Sequence, residues 1–221
     1  MLDWKRIREK YSYYEIYEII LRRTFASLPV ICSTFLNRCQ FIVKRVHCEG
    51  GFSSRGIILI SNGSRIPFTG PVNVEMGKGI TINSSRRADA IGGDTKTIIR
   101  TITTKGRIEI GDYTGISNSA IIAQELIRIG SNVKIGGGVK IYDTDFHALD
   151  AKDRKEENDN VKSNAVIIED DVFIGAHSII LKGVTIGHGA IVGAGSVVSK
   201  SIPAGEVWAG NPARCIRKII P

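Results

Sequence analysis

The residues DTDFH, Asp143 to His147, set a histidine two and four places after two carboxylates. Imidazole changes protonation near neutrality and is the side chain most often used to take a proton from a weak nucleophile. Asp145 and Asp143 are candidates to orient that ring or to touch what it acts on, and both are also ordinary turn acids. A solvated corner histidine on a surface insertion is the competing reading. The other reactive groups do not converge. His47, His177 and His188 show no GHxxxxH spacing, so a zinc site of three imidazoles is not expected. Cys32, Cys39, Cys48 and Cys215 form no CxxC pair and no ligand cluster, which leaves reduced thiols as the default.

A base needs a scaffold, and the chain around His147 is strongly periodic. Every sixth residue from Ile168 is apolar: Ile174, Ile180, Ile186, Val192, Val198. At 43% apolar composition, six hits in a row arise by chance at roughly 0.6% for a given phase. The rhythm extends upstream through Ile110, Ile116, Ile122 and through Ile129, Ile135, Ile141, with one inserted residue near Glu125 to Leu126. Weaker copies run through Ile60, Ile66, Val72, through Val74, Ile80, and through Ile98, Thr104, Ile110. A period of six fits neither a helix nor a single strand. It fits a β-solenoid with flat six-residue sides, in which each Ile or Val points inward and stacks on its equivalent one coil away. Gly, Asn and Asp suit the sharp corners, and three sides make an eighteen-residue coil. Counting six from Ile141 puts His147 at the next inward position. There the rhythm stops, and a polar loop, 148–165, leaves the coil.

At this point the chain resembles the hexapeptide-repeat acyltransferases, from about Ile58 onward and most strongly over Ile108 to Ile220. The segment GVTIGHGAIVGAGSVVSKSIPAGEVWAGNPARCIRKI and the DTDFH stretch carry the likeness to the sugar O-acetyltransferase branch. The resemblance implies a mainly β fold, a left-handed parallel β-helix with an N-terminal helical segment and a short C-terminal helix. It implies a homotrimer, with acetyl-CoA lying between two solenoids and no metal. His147 would be the general base toward a sugar hydroxyl, with Asp145, Asp143 and Asn118 orienting it or contacting the acceptor. Phe173, Gly175, Ala176, Ala194, Ser199, Lys200, Arg214 and Arg217 would bind the cofactor, and N–H groups at Gly175 and Ala176 would meet the oxyanion. Phe173 stands where Trp is commoner, which removes an N–H donor. The expected setting is surface-polysaccharide biosynthesis. The alternatives are N-acetylation of a nucleotide-linked amino sugar, serine acetylation, and a structural solenoid without activity.

The remaining features bound the organisation. The expected divisions are a helical cap over 1–50, the β-helix over 51–205, and a tail or helix over 206–221. Residues 1–50 lack the six-residue period, and YYEIYEIILRRTF and ICSTFLNRCQFIVKRV read as helices. Neither is long and uncharged enough to span a bilayer. The charged N-terminus does not read as a cleavable signal, so a cytoplasmic protein is expected. The net charge is +8. It includes +4 over Met1 to Gly50 (nine Lys/Arg, five Asp/Glu) and +3 over Lys200 to Pro221 (four against one). The C-terminal excess suits a polyphosphorylated cofactor. The N-terminal excess suits an anionic membrane surface as well as a cap over the first coil. No nucleic-acid motif accompanies the charge.

Overall fold

The computed structural model describes residues 30–62, 72–93, 95–155 and 160–219. The expected helix YYEIYEIILRRTF, most of the cap and Ile66 lie outside them.

Six coils follow one another, each with three short strands. The first holds β1 (His47–Gly50), β2 (Ser53–Arg55) and β3 (Leu59–Asn62); the second, β4 (Val74–Lys78), β5 (Thr81–Asn83) and β6 (Ile98–Thr101). The third holds β7 (Arg107–Ile110), β8 (Gly115–Ser117) and β9 (Ala120–Ala123); the fourth, β10 (Leu126–Ile129), β11 (Lys134–Ile135) and β12 (Lys140–Tyr142). The fifth holds β13 (Val166–Ile168), β14 (Phe173–Ile174) and β15 (Ile179–Ile180); the sixth, β16 (Thr185–Ile186), β17 (Ile191–Val192) and β18 (Val197–Val198). The strands at each place in the coil join into one parallel sheet, giving three faces, A, B and C, of a left-handed β-helix.

Register explains the period. Ile110, Ile129, Ile168 and Ile186 stack on face A. Ile82, Ile116, Ile135, Ile174 and Val192 stack on face B. Ile60, Ile99, Ile121, Ile141, Ile180 and Val198 stack on face C. All are buried, each worth about 1.5–3 kcal/mol of apolar transfer. The corners suit their residues: Asn118 (φ 42°), Gly138 (74°), His177 (61°) and Gly195 (70°) repeat one left-handed conformation between faces B and C.

Four expectations need correction. Ile121, not Ile122, points inward, because the corner after Ile116 is one residue short and the turn after Ala123 makes up the difference. Likewise Ile99 is inward, while Ile98 is half-buried and Thr104 exposed. The C-terminal segment is a hairpin rather than a helix. β19 (Glu206–Gly210) pairs in parallel with β17, and β20 (Ala213–Lys218) pairs antiparallel with β19. The open edge of face B supplies backbone partners that a helix would leave unmet. Finally, the solenoid already begins at β1, inside the segment read as cap. Before it comes helix α1 (30–44), whose side chains bond the first coil.

Candidate functional site

Face C ends in a strand that carries the loop. One step beyond the Ile122–Tyr142 pair, level with buried Ala123, lies Asp143, fully buried. Asp143 therefore takes the inward place, and His147 is exposed, contrary to the position counted for it. The reason is local. The strand alternation continues through Asp143, Phe146 then turns the chain outward at φ 62°, and the six-residue count lapses. Tyr142 and Phe146 pack edge to face at 5.0 Å. The loop's neck is closed by the Thr144–Ser163 bridge and by the Asn164 N–H donating to the Asp143 carbonyl at 2.9 Å. Arg154 cinches its first turn by donating to the carbonyls of Ala148 (2.9 Å) and Leu149 (2.6 Å).

The two acids beside His147 have partners of their own. The Asp143 oxygens accept the N–H groups of Gln124 and Glu125, both at 2.7 Å, and so hold the enlarged turn of the third coil. Burial pushes its carboxyl above the ordinary range, against the lowering effect of those N–H bonds. Asp145 is ion-paired to Lys182, Nζ to Oδ2 3.3 Å. Lys182 was not singled out from the sequence. It lies at the same edge one coil on, a neighbourhood that only the register reveals.

At the other edge of face C, small residues stack between faces B and C. Gly175 and Ala176 lie beneath Gly193 and Ala194, and a Cβ on Gly175 would come within 2.5 Å of the Ala194 nitrogen. The Gly175 N–H already donates to the Val192 carbonyl at 2.8 Å, so it is not available to an oxyanion. The Ala176 N–H has no such acceptor among the described residues. Ala194 is exposed and Ala176 half-buried. Arg214 pairs with Ala209, which sits over Gly193, so its exposed side chain belongs to this edge. Phe173, 48% exposed, and Arg217 instead lie in the outward row of face B, separated by Ile191 and Val207. Exposed Ser199 and Lys200 follow β18, at the His147 edge.

Asn118 does not face an open site. It is buried, its Nδ2 donates to the Asp89 carbonyl at 2.8 Å, and the segment 85–93 lies over it. Its corner conformation and this covering loop make it a fastening between the second and third coils.

Apart from Phe173 and Arg217 on face B and the buried Asn118, the sequence-predicted residues thus form two groups on opposite edges of face C. At about 3.3 Å per residue the face is roughly 15–20 Å wide. One chain does not bring His147 to the Ala176–Ala194 column.

Residues 165–200 match the hexapeptide repeat of succinyl-transferase. The matched residues lie in the fifth and sixth coils of the left-handed β-helix. The chain is 43% identical over 103 residues to a protein of Schizosaccharomyces pombe described as an acetyltransferase, covering 46% of this chain and 48% of that one. It therefore spans about half the length of that curated relative. The N-acyltransferase AntD of Bacillus cereus, solved as a variant with dTDP and coenzyme A, matches with a TM-score of 0.63 at 25% identity, over 84% of this chain and 89% of that one. A galactoside acetyltransferase solved with coenzyme A matches with a TM-score of 0.51 at 24% identity, over 84% and 72%. The likeness to these solved structures is one of fold. Among the described residues, no group of three or more His, Cys, Asp or Glu could hold a metal ion.

Proposed function

We propose that the protein transfers an acetyl group from acetyl-CoA to a hydroxyl of a sugar, in surface-polysaccharide biosynthesis, with His147 as general base. The observation that carries this reading is the pairing of two edges on face C: an exposed histidine at one, a small-residue column topped by Arg214 at the other. The two edges complete a site when neighbouring solenoids of a homotrimer meet. The named relatives support the reaction class, since acetyl transfer is in the description of the yeast protein and coenzyme A in the solved complexes.

In this reading the pantetheine arm lies along Ala176 and Ala194, where a larger side chain would block it. The arginines at 214 and 217 face the cofactor's phosphates with charge-assisted bonds, Phe173 offers an aromatic surface, and Ser199 and Lys200 approach from the facing chain. The imidazole of His147 takes the proton as the sugar oxygen attacks the thioester carbon. The tetrahedral oxyanion forms beside the Ala176 N–H. The C–S bond then breaks, and the thiolate leaves and is protonated. Asp145, held by Lys182, fixes the strand end that presents His147.

A second reading is acyl transfer to an amine of a nucleotide-linked sugar. It is favoured by the Bacillus cereus N-acyltransferase, whose fold matches over most of both chains. Mass spectrometry of products from acetyl-CoA with a panel of neutral sugars and dTDP-amino sugars separates the two. An O-acetyl ester, cleaved by mild base, is expected; a base-stable amide would transfer the assignment to the second reading.

A further inference from the structure

Helix α1 has its polarity reversed for a cap. The face turned to the solenoid is largely polar: Ser33, Asn37 and Lys44 are buried there beside Phe41. Ser33 Oγ donates to the Ser54 carbonyl at 2.6 Å. Asn37 donates to Ser54 Oγ at 2.8 Å and to the Gly56 carbonyl at 2.9 Å, and accepts the Ile58 N–H at 3.1 Å. These bonds fasten the helix across the open end of the first coil. The apolar residues point away: Ile31, Phe35, Leu36, Ile42 and Val43 are 61%, 66%, 53%, 78% and 72% exposed.

At about 100° per residue these five, with Cys32 and Cys39, fill an unbroken arc of about 140°. Exposed Arg38 falls at one edge of the arc, and exposed Arg45 follows the last turn of the helix at φ 55°. The surrounding sequence is one-sided as well. From Ile19 to Cys48, thirty residues carry five Lys/Arg and no Asp/Glu. Exposed Glu49 shares a groove with Arg38 and Ile42, so the rim is basic on balance rather than wholly basic. A net basic rim complements an anionic surface, and a fifteen-residue helix with this face lies in an interface rather than crossing it. No helix among the described residues is long and apolar enough to span a membrane.

We infer that α1 docks the protein on an anionic phospholipid surface. Ile31, Phe35, Leu36, Ile42 and Val43 enter the acyl boundary, and Arg38 and Arg45 lie among the headgroups. The solenoid then stands with its first coil toward the bilayer. His147, at the end of the fourth coil, lies three coil spacings higher, about 14 Å. The inference does not depend on which acceptor the protein uses.

The test is flotation of the full chain with phosphatidylcholine vesicles, with and without phosphatidylglycerol. The protein should float with the anionic vesicles and remain behind with the neutral ones. Phe35→Glu/Ile42→Glu, which leaves the bonds of the inner face untouched, should abolish flotation with circular dichroism and oligomeric state unchanged. Arg38→Glu/Arg45→Glu, which leaves the apolar residues in place, should weaken partitioning by about fivefold or more per arginine. Three results would overturn the inference. These are absence of flotation in the parent, flotation that survives both double variants, or a drop in oligomeric state in Phe35→Glu/Ile42→Glu, which would make this face a contact between copies.

Discussion

His147 is the residue on which the proposed chemistry turns. A general base contributes about 10²- to 10⁴-fold to turnover, so His147→Ala should lower kcat by that factor with assembly intact. Near-normal turnover would remove it from the mechanism. Its neighbours behave differently. Asp143 is a carboxylate enclosed in the coil, raised above its ordinary value of 3.8 by burial. A raised carboxyl favours folding in its protonated form, so its contribution is complete below pH 3.8 and is lost as pH rises through the higher folded value. Replacement by Asn removes that titration. The stability difference between parent and Asp143→Asn should therefore shift toward the variant as pH rises from 3.8 to neutrality, which thermal melts across that range would measure. A constant difference would show that the turn N–H bonds cancel the burial. DTDFH was legible as a candidate base because its residue types are informative. That Asp143 would turn inward and Asp145 would meet Lys182 was not, since both follow from cross-coil register.

At the scale of the element, the six-residue period was legible because one isoleucine or valine per side fills the coil and little else fits. The phase was not legible wherever a corner changed length. Ile121 and Ile122 are chemically identical, and only the short corner after Ile116 decides which is buried. Ile121→Ala should cost about 2–5 kcal/mol in denaturant unfolding, as for a core truncation. Ile122→Ala, outward and half-buried, should cost clearly less. Equal costs would return both residues to the core. The C-terminal hairpin was missed because ARCIRK has no strict alternation, and its strand character comes from the unsatisfied edge of face B. The corner between faces B and C offers a separate test. Ala194 is exposed, so Ala194→Trp should leave the core intact while lowering acetyl-CoA affinity at least about tenfold by calorimetry, a loss near 1.4 kcal/mol. Unchanged affinity would move the cofactor off this column.

At the scale of the whole molecule, the two halves of the candidate site lie on opposite edges of face C, farther apart than any acyl group reaches. The proposed site therefore needs two chains, and the proposed homotrimer, a closed threefold ring, supplies three such interfaces from one surface pair. With acetyl-CoA held below saturation, chains carrying His147→Ala and chains carrying Ala194→Trp should each turn over at about a tenth of the parental rate or less when assembled alone. In mixed trimers, some interfaces join an intact histidine from one chain to an intact column from its neighbour. Turnover in verified mixed trimers, separated by distinct affinity tags, is the measurement that bears most directly on a shared site. Recovery of a substantial fraction of parental turnover is the predicted result; mixed trimers as inactive as either parent variant would place the whole site within one chain and contradict the account.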